Sequence, residues 1–523
     1  MIDRSGLMLV IAAALIAVAV LALARIPTSF IPLEDQGYLL IAAQLPDAAS
    51  LERTQAVMQR ITAVALKTPG VEHAITIGGI SALDGNASLA NAGVVYLTLK
   101  DWGERDKHKG QDLKGLYQRL SREMAQIESA RILVVPPPPI QGIGNSGGFQ
   151  MQVELTDGSF DYRKLQRISD VLVNDGNTQS GLERVMTTFR ADVPQISADI
   201  NRSKAQALSV PIGNVFDTLQ SYLGSTFTSQ ITKFGRVFPV FVQADSQFRL
   251  TPQDLRRYYV RSNNGDMVPI GTLADVDYTQ GPALISLYNL YPSSSIIGMT
   301  ATGFSSGQSL QTMDQLAART LPPGVSSEWT AMSYQEKLAG NSAYLVFALA
   351  MLLVYFVLAG QYGSWVTPAA VIFCVPLALL GTAGALLALG IANNLYTQIG
   401  LVLLIALSAK NAILIVEVAR ELRAHGHSIT EAAVEAAHKR FRPIVMTSFA
   451  FILGVLPLVL ARGAGASARA SIGIAVFSGM IASTCLAVLF VPAFFVVLQR
   501  WQEGRKPPAT PAPAAQEPPR GAR

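Results

Sequence analysis

Long apolar runs divide this chain into a membrane part and a part with the alternating pattern of a water-soluble domain. Six runs reach the roughly 20 residues that a helix needs to cross a bilayer. They lie at residues 6–25, 339–360, 366–391, 398–419, 444–461 and 471–498. The first stands at the N-terminus and five cluster at the C-terminus, so a long insert separates the first predicted span from the second.

The insert has a readable order of elements. Its first part alternates as a strand at 38–45, a helix at 50–67, strands at 71–77 and 93–99, a helix at 110–127 and a strand at 132–135. Ser50 is the predicted N-cap of the first helix, with Glu52 in its first turn. This β-α-β-β-α-β order is the split pattern of ferredoxin-like subdomains.

A second, less regular set of elements follows the first. It begins with a strand at 149–155 and a helix at 162–173, is interrupted near 191–280, and resumes at 296–302, 310–319 and 326–330. The pattern therefore predicts an α-helical membrane domain plus an α+β domain of two ferredoxin-like subdomains, the second carrying an inserted piece. The predicted divisions are 1–25, 26–142, 143–190 with 281–337, 191–280, 338–500 and a tail at 501–523.

Two proline-rich segments join or follow these parts. The stretch "PPPPIQGIGNSGG" at 136–148 is typical of a stiff polyproline linker, although it could also form the wall of a cleft between the subdomains. The final stretch, "KPPATPAPAAQEPPRGAR", has the composition of a disordered cytoplasmic tail.

The charges support a membrane protein and predict its orientation. Only 15% of the residues are charged, against about 25% in soluble domains, and half are hydrophobic. The loop between the fourth and fifth spans carries five basic residues, at 420, 423, 439, 440 and 442, and the loop between the third and fourth carries none. By the positive-inside rule both termini face the cytoplasm and the insert lies outside. The first run also contains a small-x-small pattern at 22–24, but its length favours an anchor over a cleaved signal peptide.

Motifs for enzymatic or metal chemistry are absent from the sequence. There is no phosphate-binding G-x-x-x-x-G-K-[ST] loop, no H-E-x-x-H and no Cys/His spacing typical of a metal site. The five histidines are scattered, and Cys374 and Cys485 lie in apolar runs as predicted core residues. No basic patch is interleaved with aromatic residues as nucleic acid binding would require. We therefore expect no enzyme, no cofactor, no metal and no nucleic-acid partner.

Lys410 is the exception inside the apolar runs. It lies near the middle of the fourth span, where a charge costs about 2.5–3.5 kcal/mol even on a lenient scale. Snorkelling would need to bridge about nine to twelve residues to an end of the run, so a functional charge is the better interpretation. Glu417 lies seven residues further on the same helix face, about 10 Å along the axis and too far to pair.

No Asp or Glu lies near the depth of Lys410 in any of the six runs. A buried ammonium needs a counter-charge or must lose its proton. The partner of Lys410 is therefore expected from outside this chain. Ser408 and Asn411 are further polar residues in the middle of the fourth span, and Thr447 and Ser448 lie one turn inside the fifth.

Seven segments carry a family resemblance. They are "LSAKNAILIVEVA", "RFRPIVMTSFAFILGVLPLV" and "LFVPAFFVVLQR" in the membrane part, and "IPTSFIPLEDQGY", "VYLTLKDW", "KAQALSV" and "MSYQEKLAGN" in the insert. These segments closely resemble the RND (resistance–nodulation–cell division) multidrug efflux pumps. The resemblance covers nearly the whole chain and corresponds to the C-terminal half of such a pump. Family members consist of two similar six-helix halves, which is a parallel repeat.

The resemblance implies roles for particular residues. Lys410 would be the relay lysine of proton antiport, Arg440 the relay arginine and Thr447 the relay hydroxyl. Two aspartates of an N-terminal half would face Lys410. The insert would be periplasmic, and 191–280 would be the docking piece that meets an outer-membrane duct. The implied substrate-binding positions are Ile75, Ile77, Ile80, Ala82, Tyr96, Leu133 and Val135.

The implied partners are those of a Gram-negative inner-membrane pump. They are an N-terminal half, further copies in a homotrimer, a periplasmic adaptor protein, an outer-membrane channel and amphiphilic small molecules. The implied pocket is aliphatic rather than rich in phenylalanine, which would lower stacking with aromatic substrates. Its isoleucines could equally be ordinary strand core.

Two other points remain open from the sequence. A non-transporting receptor or scaffold, or an inactive fragment, is the alternative function. The amphipathic stretch "SITEAAVEAAHKRF" predicts a cytoplasmic surface helix between the fourth and fifth spans, with Ser428 and Glu431 as a capping box.

Overall fold

The computed structural model describes residues 5–144, 148–340 and 342–503. Within these ranges six helices are long and apolar enough to cross a membrane, which confirms the predicted number and order of spans. They are Gly6–Arg25, Leu345–Tyr362, Thr367–Leu389, Leu395–Ala424, Ile429–Val459 and Ala466–Glu503. The strand-rich domain lies between the first and the second, also as predicted.

The first helix leads into a four-stranded antiparallel sheet with two main helices on one face. The elements are α1 (Ser5–Arg25), β1 (Tyr38–Gln44), α2 (Leu51–Lys67), β2 (Val71–Ser81), β3 (Ala87–Leu99), α3 (Trp102–Arg105), α4 (Leu113–Met124) and β4 (Arg131–Val135). The strand order is β2-β3-β1-β4. The Ser50 hydroxyl accepts a hydrogen bond from the Arg53 amide and caps α2. The core between sheet and helices includes Leu39, Ile41, Val95, Leu97, Met58 and Leu116.

A second sheet has the same strand order. Its first elements are β5 (Phe149–Leu155), α5 (Tyr162–Asn177) and β6 (Leu182–Thr187). The inserted piece follows, with β7 (Val193–Ile200), α6 (Arg202–Ala207), α7 (Ile212–Leu219), β8 (Thr226–Lys233), β9 (Arg236–Val242), α8 (Pro252–Arg256), β10 (Tyr259–Arg261), β11 (Met267–Pro269), α9 (Ile270–Leu273) and β12 (Ala274–Gly281). β7 and β12 pair along their length, so the piece leaves and rejoins the subdomain at one place.

After the inserted piece the chain completes the second sheet. The elements are β13 (Ser286–Tyr288), β14 (Tyr291–Thr300), α10 (Ser306–Thr320), β15 (Val325–Trp329) and α11 (Ala331–Ala339). β14 pairs with β6 on one side and β5 on the other, and β15 pairs with β5. The order β6-β14-β5-β15 therefore repeats the order of the first sheet.

The remaining helices form the membrane bundle. They are α12 (Ser342–Tyr362), α13 (Thr367–Ile372), α14 (Cys374–Leu389), α15 (Leu395–Ala424), α16 (Ile429–Val459) and α17 (Ala466–Glu503). A Cβ on Gly381 would lie 2.4 Å from the Ala482 Cβ, so α14 and α17 approach closely at a glycine. Helices α1, α12 and α16 are mostly exposed, whereas about half of each other span is buried.

The structure corrects two details of the helix prediction. The stretch 428–441 is the first part of the single helix α16 rather than a separate surface helix, because Ala432, Ala433 and Ala436 pack in the same core as Ile444. Its predicted capping box is present, with the Glu431 amide donating to Ser428 Oγ at 3.2 Å. The third run is two helices, since Pro376 cannot donate a hydrogen bond to the carbonyl of Ile372, where α13 ends.

Two further expectations change in the described residues. Cys374 is buried as predicted, but Cys485 is exposed on α17 rather than part of a core. Residues 501–503 of the predicted disordered tail continue α17, where Glu503 pairs with Arg423 at 2.9 Å. The rest of that tail, and residues 145–147 of the proline-rich linker, lie outside the described residues. The linker is held in place where Gln36 Nε2 donates to the Pro138 carbonyl at 2.9 Å.

Candidate functional site

Lys410 lies on the exposed face of α15. Ile399, Leu403 and Glu417 lie on the same face, at helical spacing, while Ser408 and Asn411 are buried on the other side. In the part of the chain that the structure describes, Lys410 has no ion pair and no hydrogen bond from its side chain. The lysine therefore points away from this bundle, toward a surface where a counter-charge is missing.

Helices α15 and α16 meet beside this lysine. Asn411 Nδ2 lies 3.4 Å from Ser448 Oγ, and both side chains are buried. Lys410 and Thr447 each precede one member of this pair, so the structure brings them to the same level of the bundle. The Thr447 hydroxyl donates to the Ile444 carbonyl at 3.1 Å.

Arg440 lies on the same face of α16 as Thr447, seven residues or about 10 Å nearer the N-terminus of that helix. It is half-buried, and its Nε has no hydrogen-bond partner among residues 5–144, 148–340 and 342–503. The three positions of the expected relay thus follow one line at the junction of α15 and α16. Both cations on that line lack an acidic partner in the described chain.

A second buried polar contact was not anticipated from the sequence. Ser483 Oγ on α17 lies 2.9 Å from Ser408 Oγ on α15, which also approaches the Cys374 carbonyl of α14 at 3.5 Å. The contact joins three helices behind Lys410. The sequence gives little signal for it, because a serine within an apolar run can equally bond the carbonyl of its own preceding turn.

The expected substrate positions lie mainly on one face of the first sheet. The helices cover the other face, so we call this one the open face of the first sheet. Two adjacent rows of side chains cross it, Ile75–Tyr96–Leu40–Val135 and Ile77–Val94–Ala42–Leu133. Ile80 lies beyond a register shift near Gly79, and Ala82 packs against Leu40 and Val94. Strand alternation thus brings five of the seven predicted residues together directly.

The second sheet contacts this open face at one side. Ile297 and Met186 pack with Ala42, Leu83, Leu133 and Val135. The contact is reinforced by a hydrogen bond from Thr188 Oγ to Asp84 at 2.5 Å and by the Arg190–Asp47 ion pair at 2.7 Å. Val135 is therefore only 2% exposed, while Ile75 at the opposite edge is 57% exposed. Between the two sheets lies a cleft that is closed along β4 and at the turn after β2, and open at the Ile75 edge of β2.

The open face of the second sheet is polar where that of the first is aliphatic. It carries Gln150, Gln152 and Glu154 of β5, which alternate with the core residues Met151 and Val153. Glu154 is 1% exposed, and its Oε1 has no hydrogen-bond partner among the described residues. Burial, with a smaller effect from the negative charge of Glu328, raises the pKa of Glu154 to about 7.

Glu154 was not singled out from the sequence. The alternation in "FQMQVEL" could have placed it on the non-core face of a central strand, where a carboxyl group is unusual. No group of three His, Cys, Asp or Glu side chains suited to a metal ion occurs in the described residues.

Two adjacent carboxylates connect the strand-rich domain with the membrane bundle. Glu34 accepts hydrogen bonds from the backbone amides of Ser467 and Ala468, at 3.2 and 2.6 Å, and so caps the N-terminus of α17. Asp35 forms a two-point ion pair with Arg105, at 2.8 and 3.1 Å. The peptide between Glu34 and Asp35 therefore links the end of a membrane helix to the first subdomain.

Comparisons with known proteins identify a matching family and similar curated relatives. A family model described as the AcrB/AcrD/AcrF family matches residues 1–499. The multidrug export protein AcrF of Escherichia coli (strain K12) is 38% identical over 506 residues, which are 96% of this chain and 48% of AcrF. The multidrug/solvent efflux pump membrane transporter MepB of Pseudomonas putida is 37% identical over 508 residues, again 96% of this chain and 48% of MepB.

A third relative gives similar coverage. The multidrug resistance protein MdtF of Escherichia coli (strain K12) is 38% identical over 482 residues, which are 91% of this chain and 46% of MdtF. The chain thus spans about half the length of the curated relatives that it matches.

Proposed function

Because this chain belongs to the AcrB/AcrD/AcrF family of RND efflux permeases, we propose that it forms one half of a proton-driven exporter of amphiphilic molecules. The observation that carries the proposal is Lys410, a mid-membrane cation on an exposed helix face with no acidic partner in the described chain. A second six-helix half, on the same or another polypeptide, supplies carboxylates opposite this face. The pump then exchanges drug for protons.

The electrostatics of such a pair explain how a proton could drive a structural change. An ammonium and a carboxylate attract each other strongly in a low-dielectric interior, and protonation of the carboxylate removes that attraction. Lys410 would then lose its partner, and α15 would be free to shift against the second half. In this proposal the Thr447 hydroxyl stabilises the pair on its side, and Arg440 stabilises negative charge nearer the cytoplasm.

The strand-rich domain would act as the porter part. We interpret its two sheets as ferredoxin-like subdomains, since both have the same strand order with two main helices on one face. The aliphatic open face of the first sheet, with Ile75, Ile77 and Tyr96 at its accessible edge, is the proposed contact for the apolar part of a substrate. Ile80, Ala82, Leu133 and Val135 complete it.

The inserted piece at 191–280 would serve as the docking part. The β8–β9 hairpin exposes several large apolar side chains, including Phe227, Phe241 and Phe234, the last 86% exposed. Exposed apolar patches of this kind are typical of protein–protein contacts. We propose that they contact further copies in a homotrimer, an adaptor protein or an outer-membrane channel.

The orientation follows from the same proposal. Both ends of the chain would face the cytoplasm and the strand-rich domain the periplasm of a Gram-negative cell. Cysteine labelling checks this in a variant that lacks Cys374 and Cys485. A cysteine at His438 should react only from the cytoplasmic side and one at Phe234 only from outside, and the reverse pattern would contradict the orientation.

A resistance assay tests the function itself. In the assembled pump, Lys410→Ala should abolish drug resistance while the amount of protein in the membrane stays unchanged. Lys439→Ala is the matched control, because Lys439 pairs with Glu435 on the surface of α16. Resistance at the wild-type level in the Lys410 variant would contradict the proposed relay.

A further inference from the structure

Glu154 is a buried carboxyl group without a partner in the described residues. Its side chain is 1% exposed, and Oε1 accepts no hydrogen bond there. A charged carboxylate in such a place is unfavourable unless a cation or several donors compensate it. The group must therefore remain neutral or meet a positive charge that the described residues do not supply.

The strand register of the second sheet shows which face of the sheet carries Glu154. Gln150, four residues earlier on β5, shares its face and donates from Nε2 to Ser295 Oγ at 3.1 Å. Gln150 is also paired in register with Ile297, the residue that contacts the aliphatic face of the first sheet. Glu154 thus belongs to the same open face of the second sheet that borders the cleft.

The neighbours of Glu154 on that face add negative charge and no positive charge. In register it is paired with Ser293 of β14 and Ser326 of β15. Glu328 of β15 is paired with the adjacent Gln152 and is held by a hydrogen bond from Asn289 at 3.0 Å. Across the described ranges no Lys, Arg or His forms an ion pair with either carboxyl group.

A cavity of about 370 Å³ opens on the same side of the sheet. Its lining includes Gln150 of β5, Tyr288 at the end of β13 and Thr330 just after β15. In sequence, Tyr288 directly precedes Asn289, which bonds Glu328, and Thr330 follows Glu328 by two residues. The cavity has the volume of a small-molecule site and borders the strands that carry both carboxyl groups.

We propose that Glu154, with Glu328 beside it, is the cation-selecting group of the cleft. At acidic pH it is neutral when the site is empty, and it then releases its proton to solvent when the positive group of a cationic amphiphile binds nearby. The apolar body of that molecule then lies on the aliphatic face of the first sheet. This assignment rests on the proposed function, since it takes the cleft as the place where an exported molecule binds.

The charge state of Glu154 makes such an exchange possible near neutral pH. Its pKa of about 7 means that both forms are accessible there, whereas an exposed glutamate would already be ionised. Binding of a cation should therefore strengthen as the pH rises through 7. A neutral molecule of similar shape should show no such trend.

Binding to the full chain in lipid nanodiscs tests this without requiring transport. The probes are tetraphenylphosphonium, a permanent cation, and triphenylphosphine oxide, a neutral analogue. For the wild type, tetraphenylphosphonium should bind about tenfold more tightly at pH 8 than at pH 6, from the fraction of ionised carboxyl groups. Calorimetry at pH 6.5 in buffers of different ionisation enthalpy should detect the release of most of one proton.

Three variants isolate the carboxyl group. Glu154→Gln should remove both the pH dependence and the proton release, while triphenylphosphine oxide binds as before. Glu328→Gln, on the exposed neighbour, should move the pH midpoint downward, since a repulsive charge is gone. Asp170→Asn removes one negative charge from the exposed side of α5 and should change neither result.

The outcomes separate this inference from the proposed function. If tetraphenylphosphonium binds the Glu154→Gln chain with the wild-type pH dependence, or if the Glu328 variant leaves the midpoint unchanged, the inference is wrong. Failure of proton-coupled export, with these binding results intact, would overturn only the proposed function.

Discussion

Asn411 of α15 and Ser448 of α16 meet through a buried side-chain contact of 3.4 Å, and each directly follows a residue of the proposed relay. The contact holds Lys410 and Thr447 at the same height along the axis of the helix bundle. Lys410, the preceding residue on α15, stays exposed. Positioning of the proposed relay therefore depends on a polar pair that takes no part in the proposed proton transfer.

The first prediction concerns this pair. A hydrogen bond between membrane helices is worth only about 0.6 kcal/mol on average, so Asn411→Ala should lower thermal stability slightly. Because this contact no longer fixes the position of Lys410 relative to Thr447, drug export by the assembled pump should fall severalfold. Ser483→Ala removes a comparable contact, with Ser408, behind the relay and is the control. Equal losses of export in both variants would show that only general packing matters.

The second prediction concerns the link between membrane and outer domain. Asp35→Asn leaves Arg105, which is 2% exposed, without its carboxylate partner. Loss of one partner of a buried pair costs about 3–5 kcal/mol, and the partial exposure of Asp35 favours the lower value. Thermal unfolding of the chain in detergent should show this loss. Glu104→Gln, which breaks the exposed pair with Lys100, should change stability by less than about 1 kcal/mol. An Asp35 variant as stable as this control would refute the assignment.

The third prediction follows from the raised pKa of Glu154. Between its ordinary value of 4.5 and about 7, the folded chain holds a proton that the unfolded chain has lost. This group therefore favours folding less and less as the pH rises through that range, and its effect is constant above it. Glu154→Gln has no proton to lose, so its stability relative to the wild type should increase from pH 4.5 to pH 8, by at most about 3 kcal/mol.

Unfolding temperatures of both proteins at several pH values measure this difference. The wild type and the variant are compared at the same pH, so the contributions of other titrating groups to stability cancel in the difference. A constant difference between variant and wild type across the range would contradict the assigned burial of Glu154.

The fourth prediction concerns the aliphatic face of the cleft. Ile75 lies directly across from Tyr96 and is exposed, so Ile75→Phe would place two aromatic rings side by side. An aromatic pair adds about 0.5–1.5 kcal/mol, which corresponds to roughly two- to tenfold tighter binding of an aromatic ligand. Rhodamine 6G should show this gain and dodecyltrimethylammonium should not. Ile231→Phe, on the exposed β8 strand of the inserted piece, is the control and should leave both affinities unchanged.

Local patterns were enough to predict much of this molecule. Apolar run length located the six spans, and strand alternation placed Ile75 and Tyr96 on one face. The position of charges within each apolar run indicated that no Asp or Glu lies near the depth of Lys410. These features depend on residues close together in sequence, which is why a single sequence carries them.

Contacts between distant segments could not be predicted in the same way. The bond from Ala468 to Glu34 joins residues more than 400 positions apart, and no local pattern marks either partner. The burial of Glu154 likewise depends on how β5 is flanked by β14 and β15. The continuity of α16 through Pro443 depends on packing of its first turns in the bundle core, which outweighs the local signals for a break.

The most direct test of the central claim is transport by purified protein in proteoliposomes with an imposed pH gradient. The chain alone should export no tetraphenylphosphonium, because Lys410 has no carboxylate partner among residues 5–144, 148–340 and 342–503. Addition of a six-helix half with carboxylates opposite Lys410 should give export that depends on the gradient and disappears with Lys410→Ala. Gradient-driven export by the chain alone, at a rate equal to that of the two halves together, would contradict the account.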